Sequence, residues 1–256
     1  MRTIFIGDVH GMLATLDDLL GRLALQTGDR LVFLGDLIDK GPDPVGVVRR
    51  VGELIENPDL NTLFVRGNHE DQHLRYRRNL DMRPNIARQQ AERAPVLGHF
   101  HREAEDSDWA ILNSALPFLK LPELNMLALH GGIPGNMREF PEEASDLESL
   151  SARKRDKFNK IWRTRYIDRE TGVFLSRGRE AADDPFWAEV YDGRFGHVVF
   201  GHEVFMQGPA RFAHATGIDT GAVHGGALTA MIVNASRDVS FVSAPGEAYS
   251  PNLKED

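Results

Sequence analysis

The sequence predicts an α/β protein in which buried strands alternate with amphipathic helices. Short apolar runs recur along the first half, and each is soon followed by Gly-Asp or Gly-Asn. Stretches with the apolar spacing of a helix lie between these runs, and this β-α-β-α-β order is typical of an α/β core. The chain has 256 residues, of which 41% are hydrophobic and 27% charged, so it can bury a sizeable core.

Three strands and two helices make up the predicted first half. The strands are expected at Thr3–Ile6, Leu31–Leu34 and Leu63–Val65. The helices are expected at Met12–Leu25 and Val45–Ile55, because apolar side chains recur there every three or four residues.

The second half is predicted to contain more strands, separated by polar segments. Asp71–Asp108 is rich in Arg and Gln and is interpreted as a helical excursion over the core. Strands are then expected at Met126–Leu129 and, in a mainly antiparallel region, at Val198–Phe200, Phe212–His214, Leu228–Val233 and Val239–Val242.

The domain organisation follows from these composition changes. No internal repeat or interdomain linker is evident, so we expect one domain over residues 1–249. Polar insertions are expected at about residues 71–110 and 141–184, and residues 250–256 are predicted to be a loose tail.

Composition excludes several classes of function. The chain has no cysteine, which rules out disulfides, thiolate metal sites and a cysteine nucleophile. With 30 Lys and Arg against 38 Asp and Glu, its formal charge is −8, so we expect neither a nucleic-acid duplex nor a membrane as partner. The N-terminal sequence becomes polar at Gly7-Asp8 without the apolar stretch of a signal peptide, and a cytoplasmic location is expected.

Five glycine-containing polar clusters carry the chemistry. Each follows a strand-like run, and ligand sites of open α/β sheets form at the carboxyl ends of strands, so the five could meet at one place. The clusters are GDVHG at residues 7–11, GDLIDKG at 35–41, GNHE at 67–70, HGG at 130–132 and GHE at 201–203.

The side chains in these clusters form a typical metal-ligand set. Carboxylate oxygens, an amide oxygen and imidazole nitrogens suit Mn²⁺, Fe²⁺ or Zn²⁺. Six ligands exceed what one catalytic zinc with an open position uses, but they fit two ions bridged by one carboxylate. Two ions about 3.5–4 Å apart can clamp a phosphoryl oxygen and activate water. The six candidates are Asp8, His10, Asp36, Asn68, His130 and His202.

In this order, the five motifs resemble the calcineurin-like metallophosphoesterase superfamily. The GNHE form, the HGG motif and the later GIDTG at 217–221 are similar to its phosphoprotein phosphatase branch, which includes bacterial serine/threonine phosphatases and symmetrical diadenosine tetraphosphatases. The resemblance covers residues 3 to about 234. It implies a four-layer αββα sandwich of mixed sheets with helical cap insertions and a dinuclear site at the strand ends.

Residue by residue, the resemblance implies roles for the motif side chains. Asp8, His10 and Asp36 would hold one metal, and Asp36 would bridge to a second metal. Asn68, His130 and His202 would complete the second site, with Mn²⁺ as the expected ion and Fe or Zn as alternatives. His69, paired with Asp39, would be the general acid that protonates the leaving group.

One motif departs from the family pattern. The second motif usually ends in Asp-Arg-Gly, with the arginine on a phosphate oxygen, whereas this chain has Lys40. Lysine supplies a point charge rather than a planar pair of donors, so the substitution alters how phosphate would be held. Arg66 and Arg163 are the other candidate phosphate ligands, and Arg165 is an equally spaced rival to Arg163.

The resemblance leaves three functions open. The first expectation is a metal-dependent phosphatase acting on phosphoserine or phosphothreonine in proteins, and on phosphotyrosine by extension. The alternative is a dinucleoside polyphosphate hydrolase that uses the same centre on a diadenosine tetraphosphate anhydride. An inactive binding or scaffold protein on the same fold is the third reading. The expected partner is therefore a phosphorylated protein or a nucleotide.

Overall fold

The computed structural model describes residues 1–250. The predicted tail at 250–256 therefore lies outside the described residues apart from Ser250. The strands are β1 (Thr3–Ile6), β2 (Arg30–Phe33), β3 (Asn61–Phe64), β4 (Leu119–Leu121), β5 (Met126–Ala128), β6 (His197–Phe200), β7 (Ala210–Arg211), β8 (Ala215–Gly217), β9 (Asp219–Thr220), β10 (Ala227–Val233) and β11 (Val239–Pro245).

Helices occupy the segments between these strands. The α-helices are α1 (Leu13–Leu23), α2 (Pro44–Glu56), α3 (Asn68–Met82), α4 (Pro84–Arg93), α5 (Val96–Glu103), α6 (Asp106–Asn113), α7 (Ala152–Phe158) and α8 (Trp187–Val190). Short 3-10 helices lie at Pro122–Leu124, Ala144–Ser149 and Asn159–Trp162. The start of α2 shows why a helix forms there, because Asp43 accepts a hydrogen bond from the Gly46 N–H at 2.7 Å and Pro44 is the first helical residue.

The strands form two mixed sheets. The first has the order β11-β10-β1-β2-β3, with β9 paired to β10, and the second has the order β4-β5-β6-β8-β7. In the first sheet β1, β2 and β3 run parallel, while β10 and β11 are antiparallel. In the second sheet β5, β6 and β8 run parallel, and the two outer strands are antiparallel.

Alternation along the strands assigns their side chains to three apolar layers. In β1, Ile4 and Ile6 pack with α1 and α2, whereas Phe5 packs into the cluster between the sheets. In β6, Val199 joins that central cluster and Phe200 packs outward against Trp187. Because successive strand residues point to opposite faces, the layers follow in the order helices, first sheet, second sheet and an outer layer that covers the second sheet. The expected αββα sandwich is confirmed, with short helices and loops forming the fourth layer.

One predicted strand is wrong. Phe212–His214 forms the turn between β7 and β8, which the Phe212 N–H closes by donating to the Ala215 carbonyl at 2.8 Å. The apolar character of Phe212 reflects its packing against Phe186, at 5.6 Å between ring centroids, rather than a strand. The expectation of a mainly antiparallel region holds for β10 and β11 but not for β6, which runs parallel to β5 and β8.

The two polar segments differ in character. The first folds as four consecutive helices, α3 to α6, with α6 packed on α2, so the predicted helical excursion is confirmed. The second has little regular structure beyond α7 and two 3-10 turns. Among the described residues, no helix has both the length and the apolar character needed to cross a bilayer.

The cluster between the sheets should contribute strongly to stability. Phe5 is fully buried there, so Phe5→Ala removes a large apolar side chain and leaves a cavity. We expect a loss of about 3–5 kcal/mol in the free energy of unfolding, measured by urea denaturation. The control is Val173→Ala at a side chain 45% exposed, where we expect a change below about 0.5 kcal/mol. Equal effects of the two substitutions would contradict this packing.

Candidate metal centre

The predicted site residues meet where the parallel strands of both sheets end. Asp8, Asp36 and Asn68 follow β1, β2 and β3, whose carboxyl ends share one edge of the first sheet. His130 and His202 follow β5 and β6, whose ends share one edge of the second sheet. The sandwich therefore brings residues almost 200 positions apart into one buried centre.

One group of side-chain oxygen and nitrogen atoms that could bind a metal lies between the two sheets. His130 Nε2 lies 3.3 Å from Asp36 Oδ2, 3.1 Å from Asn68 Oδ1 and 3.1 Å from His202 Nδ1. His130 donates its Nδ1–H to the Leu34 carbonyl at 2.8 Å, which leaves Nε2 with a lone pair towards the group. Several acceptor atoms thus face one another, which is the arrangement of a cation site.

A second group shares the same aspartate. His10, Asp36 and His69 offer atoms that lie within 4.8 Å of one another, as do Asp36, His130 and His202. His10 donates Nδ1–H to the Ile38 carbonyl at 3.0 Å, and its Nε2 lies 3.6 Å from Asp36 Oδ2. Because Asp36 belongs to both groups, the geometry suits two ions bridged by one carboxylate.

The carboxylate of Asp8 lies beside this centre and is itself close to another carboxylate. It accepts a hydrogen bond from the His202 N–H at 3.0 Å, and Asp219, the first residue of β9, lies against it. Burial, followed by the charges of Asp219 and Asp36, raises the pKa of Asp8 well above its usual range. Buried carboxyls crowded in this way are costly unless a cation compensates them, so the donor set fits divalent metals.

Backbone strain is concentrated at the same place. Eight non-glycine residues of the described chain have positive φ, and five of them are site residues. Such left-handed conformations are unfavourable for side-chain-bearing residues and persist where surrounding contacts enforce them. The five are His10, Asp36, Asp39, Lys40 and His202, with φ between 46 and 70°.

Glu70 organises the loops that carry the ligands. Its buried carboxylate accepts hydrogen bonds from the N–H groups of Asp36 at 2.9 Å, Leu37 at 2.8 Å and Gly67 at 2.8 Å. It therefore ties the end of β2 to the first turn of α3. Burial and the nearby Asp36 carboxylate raise the pKa of Glu70.

His69 is joined to His73 through Asp39 in a three-residue hydrogen-bond chain. Its Nδ1 lies 2.6 Å from Asp39 Oδ2, and the buried His73 places Nε2 2.9 Å from Asp39 Oδ1. Burial lowers the pKa of His69, but the Asp36 and Asp39 carboxylates outweigh burial, so the net pKa is raised. His10 shows the opposite balance, because burial lowers its pKa to about 3. His69 is thus favoured as a proton donor and His10 as a neutral ligand.

Lys40 points into the centre rather than away from it. Its Nζ lies 2.7 Å from His10 Nε2 and donates a hydrogen bond to that nitrogen. The ammonium group is therefore within reach of an anion bound at the same centre. A single lysine charge here replaces the paired donors that an arginine would present.

The three candidate arginines occupy different surroundings. Arg66 lies over the Trp162 ring, at 5.5 Å to its centroid, so its contacts are with that indole rather than with the ligand set. Arg163 donates to Asp71 on α3 at 2.6 Å and keeps 34% of its side chain exposed. Arg165 donates to the His202 carbonyl at 2.8 Å and also pairs with Glu203, so it positions the loop that carries His202.

The comparisons with known proteins identify the family. The sequence profile of the calcineurin-like phosphoesterases matches residues 1–206, so the chain belongs to that family. Members of this family use divalent metal ions, and the residues gathered at the strand ends could bind them. The chain is thus a hydrolase of the metallophosphoesterase class.

Two curated relatives are named for nucleotide substrates. The chain is 27% identical over 241 residues to the asymmetrical bis(5'-nucleosyl)-tetraphosphatase PrpE of Oceanobacillus iheyensis, covering 90% of this chain and 88% of that protein. It is 28% identical over 269 residues to the symmetrical bis(5'-nucleosyl)-tetraphosphatase of Chromohalobacter salexigens, covering 90% of this chain and 94% of that protein.

Solved structures show the same fold. A crystal structure of a putative diadenosine tetraphosphatase superposes with a TM-score of 0.69 at 25% identity, covering 96% of this chain and 94% of that chain. A serine/threonine phosphatase from Saccharomyces cerevisiae superposes with a TM-score of 0.61 at 13% identity, covering 99% and 82%. The second likeness shows the fold alone.

Sequence reasoning missed several contributors to the centre. His73 contacts Asp39, and Arg165, which the sequence offered only as a rival phosphate ligand, contacts His202; local sequence reveals neither contact. Asp219 belongs to the GIDTG segment, to which the sequence assigned no ligand, and it follows the end of β8 by two residues. The available signal was the GIDTG segment after an apolar run, which the misplaced strand at 212–214 obscured.

Glu70 should control metal affinity without binding metal. In Glu70→Gln one carboxylate oxygen becomes an NH₂ group facing a backbone N–H, so the ligand loops lose part of their support. We expect affinity for Mn²⁺ to fall about 10–100-fold by isothermal titration calorimetry. Glu53→Gln, at an exposed helix position paired with Arg50, is the matched control and should bind as wild type does. Unchanged affinity in Glu70→Gln would contradict this role.

Proposed function

We propose that this protein is a dinuclear-metal-dependent hydrolase of dinucleoside polyphosphates. The observation that carries the proposal is the buried centre in which Asp36 belongs to two ligand groups. The names of the curated relatives support a nucleotide substrate. They favour this alternative over the phosphoprotein substrate that the sequence placed first, so the order of the two expectations is reversed.

The ligand assignment shares Asp36 between two ions, as the two groups do, but places Asp8 rather than His69 beside His10. Asp8, His10 and Asp36 would hold one ion, and Asp36, Asn68, His130 and His202 the other. The mixed oxygen and nitrogen donors suit Mn²⁺, with Fe and Zn as alternatives. When bound, the two ions supply Lewis acidity towards phosphoryl oxygens and activate a water molecule.

The chain's own residues handle the charge and the proton of the reaction. Lys40 lies close enough to the centre to offset negative charge on the phosphoryl group, and Arg163 can do so after leaving Asp71. Arg66 is the weaker candidate because it is engaged with Trp162. His69, with Nδ1 held by Asp39, would donate a proton to the leaving oxygen from Nε2.

A substrate panel tests the proposal. Diadenosine tetraphosphate, a phosphoserine peptide and p-nitrophenyl phosphate are assayed with Mn²⁺ and with chelator. We expect diadenosine tetraphosphate to have the highest kcat/KM and every activity to disappear with chelator. The products distinguish symmetrical cleavage, which gives two ADP, from asymmetrical cleavage, which gives AMP and ATP.

Three results of the panel would count against the proposal. Preference for the phosphopeptide by orders of magnitude would return the phosphoprotein reading to first place. Turnover that persists with chelator would exclude the dinuclear mechanism. Absence of activity on every substrate in the presence of Mn²⁺ would favour the inactive scaffold protein.

The acid role of His69 should depend on the leaving group. An alkoxide needs protonation to depart, whereas the phosphate of a nucleotide departs more readily without it. We therefore expect His69→Asn to lower kcat on an alkyl phosphomonoester by about 10²–10⁴-fold and on diadenosine tetraphosphate by less. Equal, small effects on both substrates would show that His69 is not the acid.

The Asp39 charge should set the alkaline limit of activity. The acid works when His69 is protonated, so activity is present below the His69 pKa and is lost as pH rises through it. Asp39 helps to raise that pKa, and Asp39→Asn removes its charge. We expect the alkaline limb of kcat/KM to move to lower pH by about one unit. An alkaline limb that stays in place or moves to higher pH would contradict the assignment.

A further inference from the structure

A cavity of about 650 Å³ lies beside the loop that follows His130. Pro134 of that loop lines it, and Phe140, Phe158 and Phe174 supply aromatic surface. Phe140 and Phe158 are buried, whereas Phe174 keeps part of its ring exposed. The volume falls within the range of ordinary small-molecule sites, which combine apolar walls with a few polar groups.

The charge around this cavity is opposite to that of the whole chain. Its lining includes four basic side chains, Arg138, Lys154, Lys157 and Lys160, and two acidic ones, Glu139 and Asp146. Asp146 is already engaged, since it accepts from the Glu143 N–H at 2.9 Å. In a chain with a formal charge of −8, an excess of cations around one cavity indicates an anionic ligand.

The basic side chains come from one continuous segment. Lys154 and Lys157 are three residues apart on α7, so they share one face of that helix, and Lys160 follows in the next 3-10 helix. The Lys160 ammonium also lies 5.7 Å from the centroid of the Phe174 ring. Cations and an accessible aromatic ring therefore occur side by side, as nucleotide recognition requires.

The same 3-10 helix connects the cavity to the metal centre. The Ile161 carbonyl accepts hydrogen bonds from the N–H groups of Gly131 at 3.0 Å and Gly132 at 2.9 Å, directly after His130. Pro134 is four residues from His130, so their Cα atoms are at most about 14 Å apart. Arg163 follows at the end of this helix and reaches Asp71 on α3. The nearest edge of the cavity therefore lies within about 14 Å of His130.

We propose that this cavity binds the nucleotide half of a dinucleoside polyphosphate that lies away from the metal centre. The inference rests on the proposed function and assigns part of its substrate specificity to the second insertion. The base stacks on Phe174, while Lys154, Lys157 and Lys160 neutralise the phosphates that lead towards Arg163. A phosphomonoester too short to reach the cavity gains nothing from it.

Direct binding of ADP tests the cavity separately from catalysis. ADP is titrated into the full-length protein in the presence of chelator, by competition with a fluorescent ADP analogue. The variant Lys154→Met/Lys157→Met removes two cations but keeps side-chain length and helix propensity. Its matched control is Arg153→Met/Arg155→Met, which removes two exposed cations of the same helix that do not line the cavity.

We expect the lysine variant to bind ADP about tenfold more weakly and the arginine control to bind as wild type does. Phe174→Ala should weaken ADP binding by about tenfold as well, through loss of stacking. With Mn²⁺ present, the lysine variant should show a raised KM for diadenosine tetraphosphate and unchanged kcat/KM for p-nitrophenyl phosphate. Equal ADP affinity in the lysine variant and the control would overturn the proposal.

The failure of this inference can be told apart from failure of the proposed function. If wild type hydrolyses diadenosine tetraphosphate and the lysine variant keeps the same KM and ADP affinity, the cavity assignment is wrong and the function stands. If wild type does not hydrolyse diadenosine tetraphosphate but the lysine variant loses ADP binding, the cavity is a nucleotide site and the function is wrong.

Discussion

The Asp36 carboxylate is the group on which the rest of the centre depends. Its Oδ2 lies 3.3 Å from His130 Nε2 and 3.6 Å from His10 Nε2, and its Oδ1 accepts from the His69 N–H at 3.1 Å. Burial opposes its ionisation, but interactions with the His130 and His69 imidazoles hold its pKa well below the usual range. One ionised carboxylate therefore joins the ligands of both sheets, and the strained backbone around it is held by contacts such as those of Glu70.

Much of this arrangement is predictable because it follows from strand polarity. Apolar runs ending in glycine and a polar side chain indicated strands whose carboxyl ends carry ligands, and β1, β2, β3, β5 and β6 lie where those runs predicted. The glycines matter for close approach, since a Cβ at Gly35 would lie 2.6 Å from the Gly67 backbone nitrogen. The family resemblance then supplied the order of the motifs and the four-layer arrangement.

The remainder depends on contacts that local sequence does not encode. Asp219 is 211 positions from Asp8 and comes close to it because β9 pairs with β10, which in turn pairs with β1. His73 reads as an ordinary helical residue until α3 places it against Asp39. The substrate is also not predictable from local sequence. Phosphoprotein and dinucleotide hydrolysis share their chemistry at phosphorus, so the motifs fit both substrates. The walls of the cavity come from a segment with little regular structure. Periodicity carries no signal for such a segment.

The most direct test of the central claim is the number and coupling of metal ions at Asp36. Mn²⁺ is titrated into the metal-free protein while electron paramagnetic resonance spectra and diadenosine tetraphosphate turnover are recorded. The shared carboxylate predicts two ions per chain, a spin-coupled pair, and turnover that rises with the second ion. Asp36→Asn should lose the coupling and the turnover together. A single ion per chain, or two uncoupled ions with full turnover, would contradict the account.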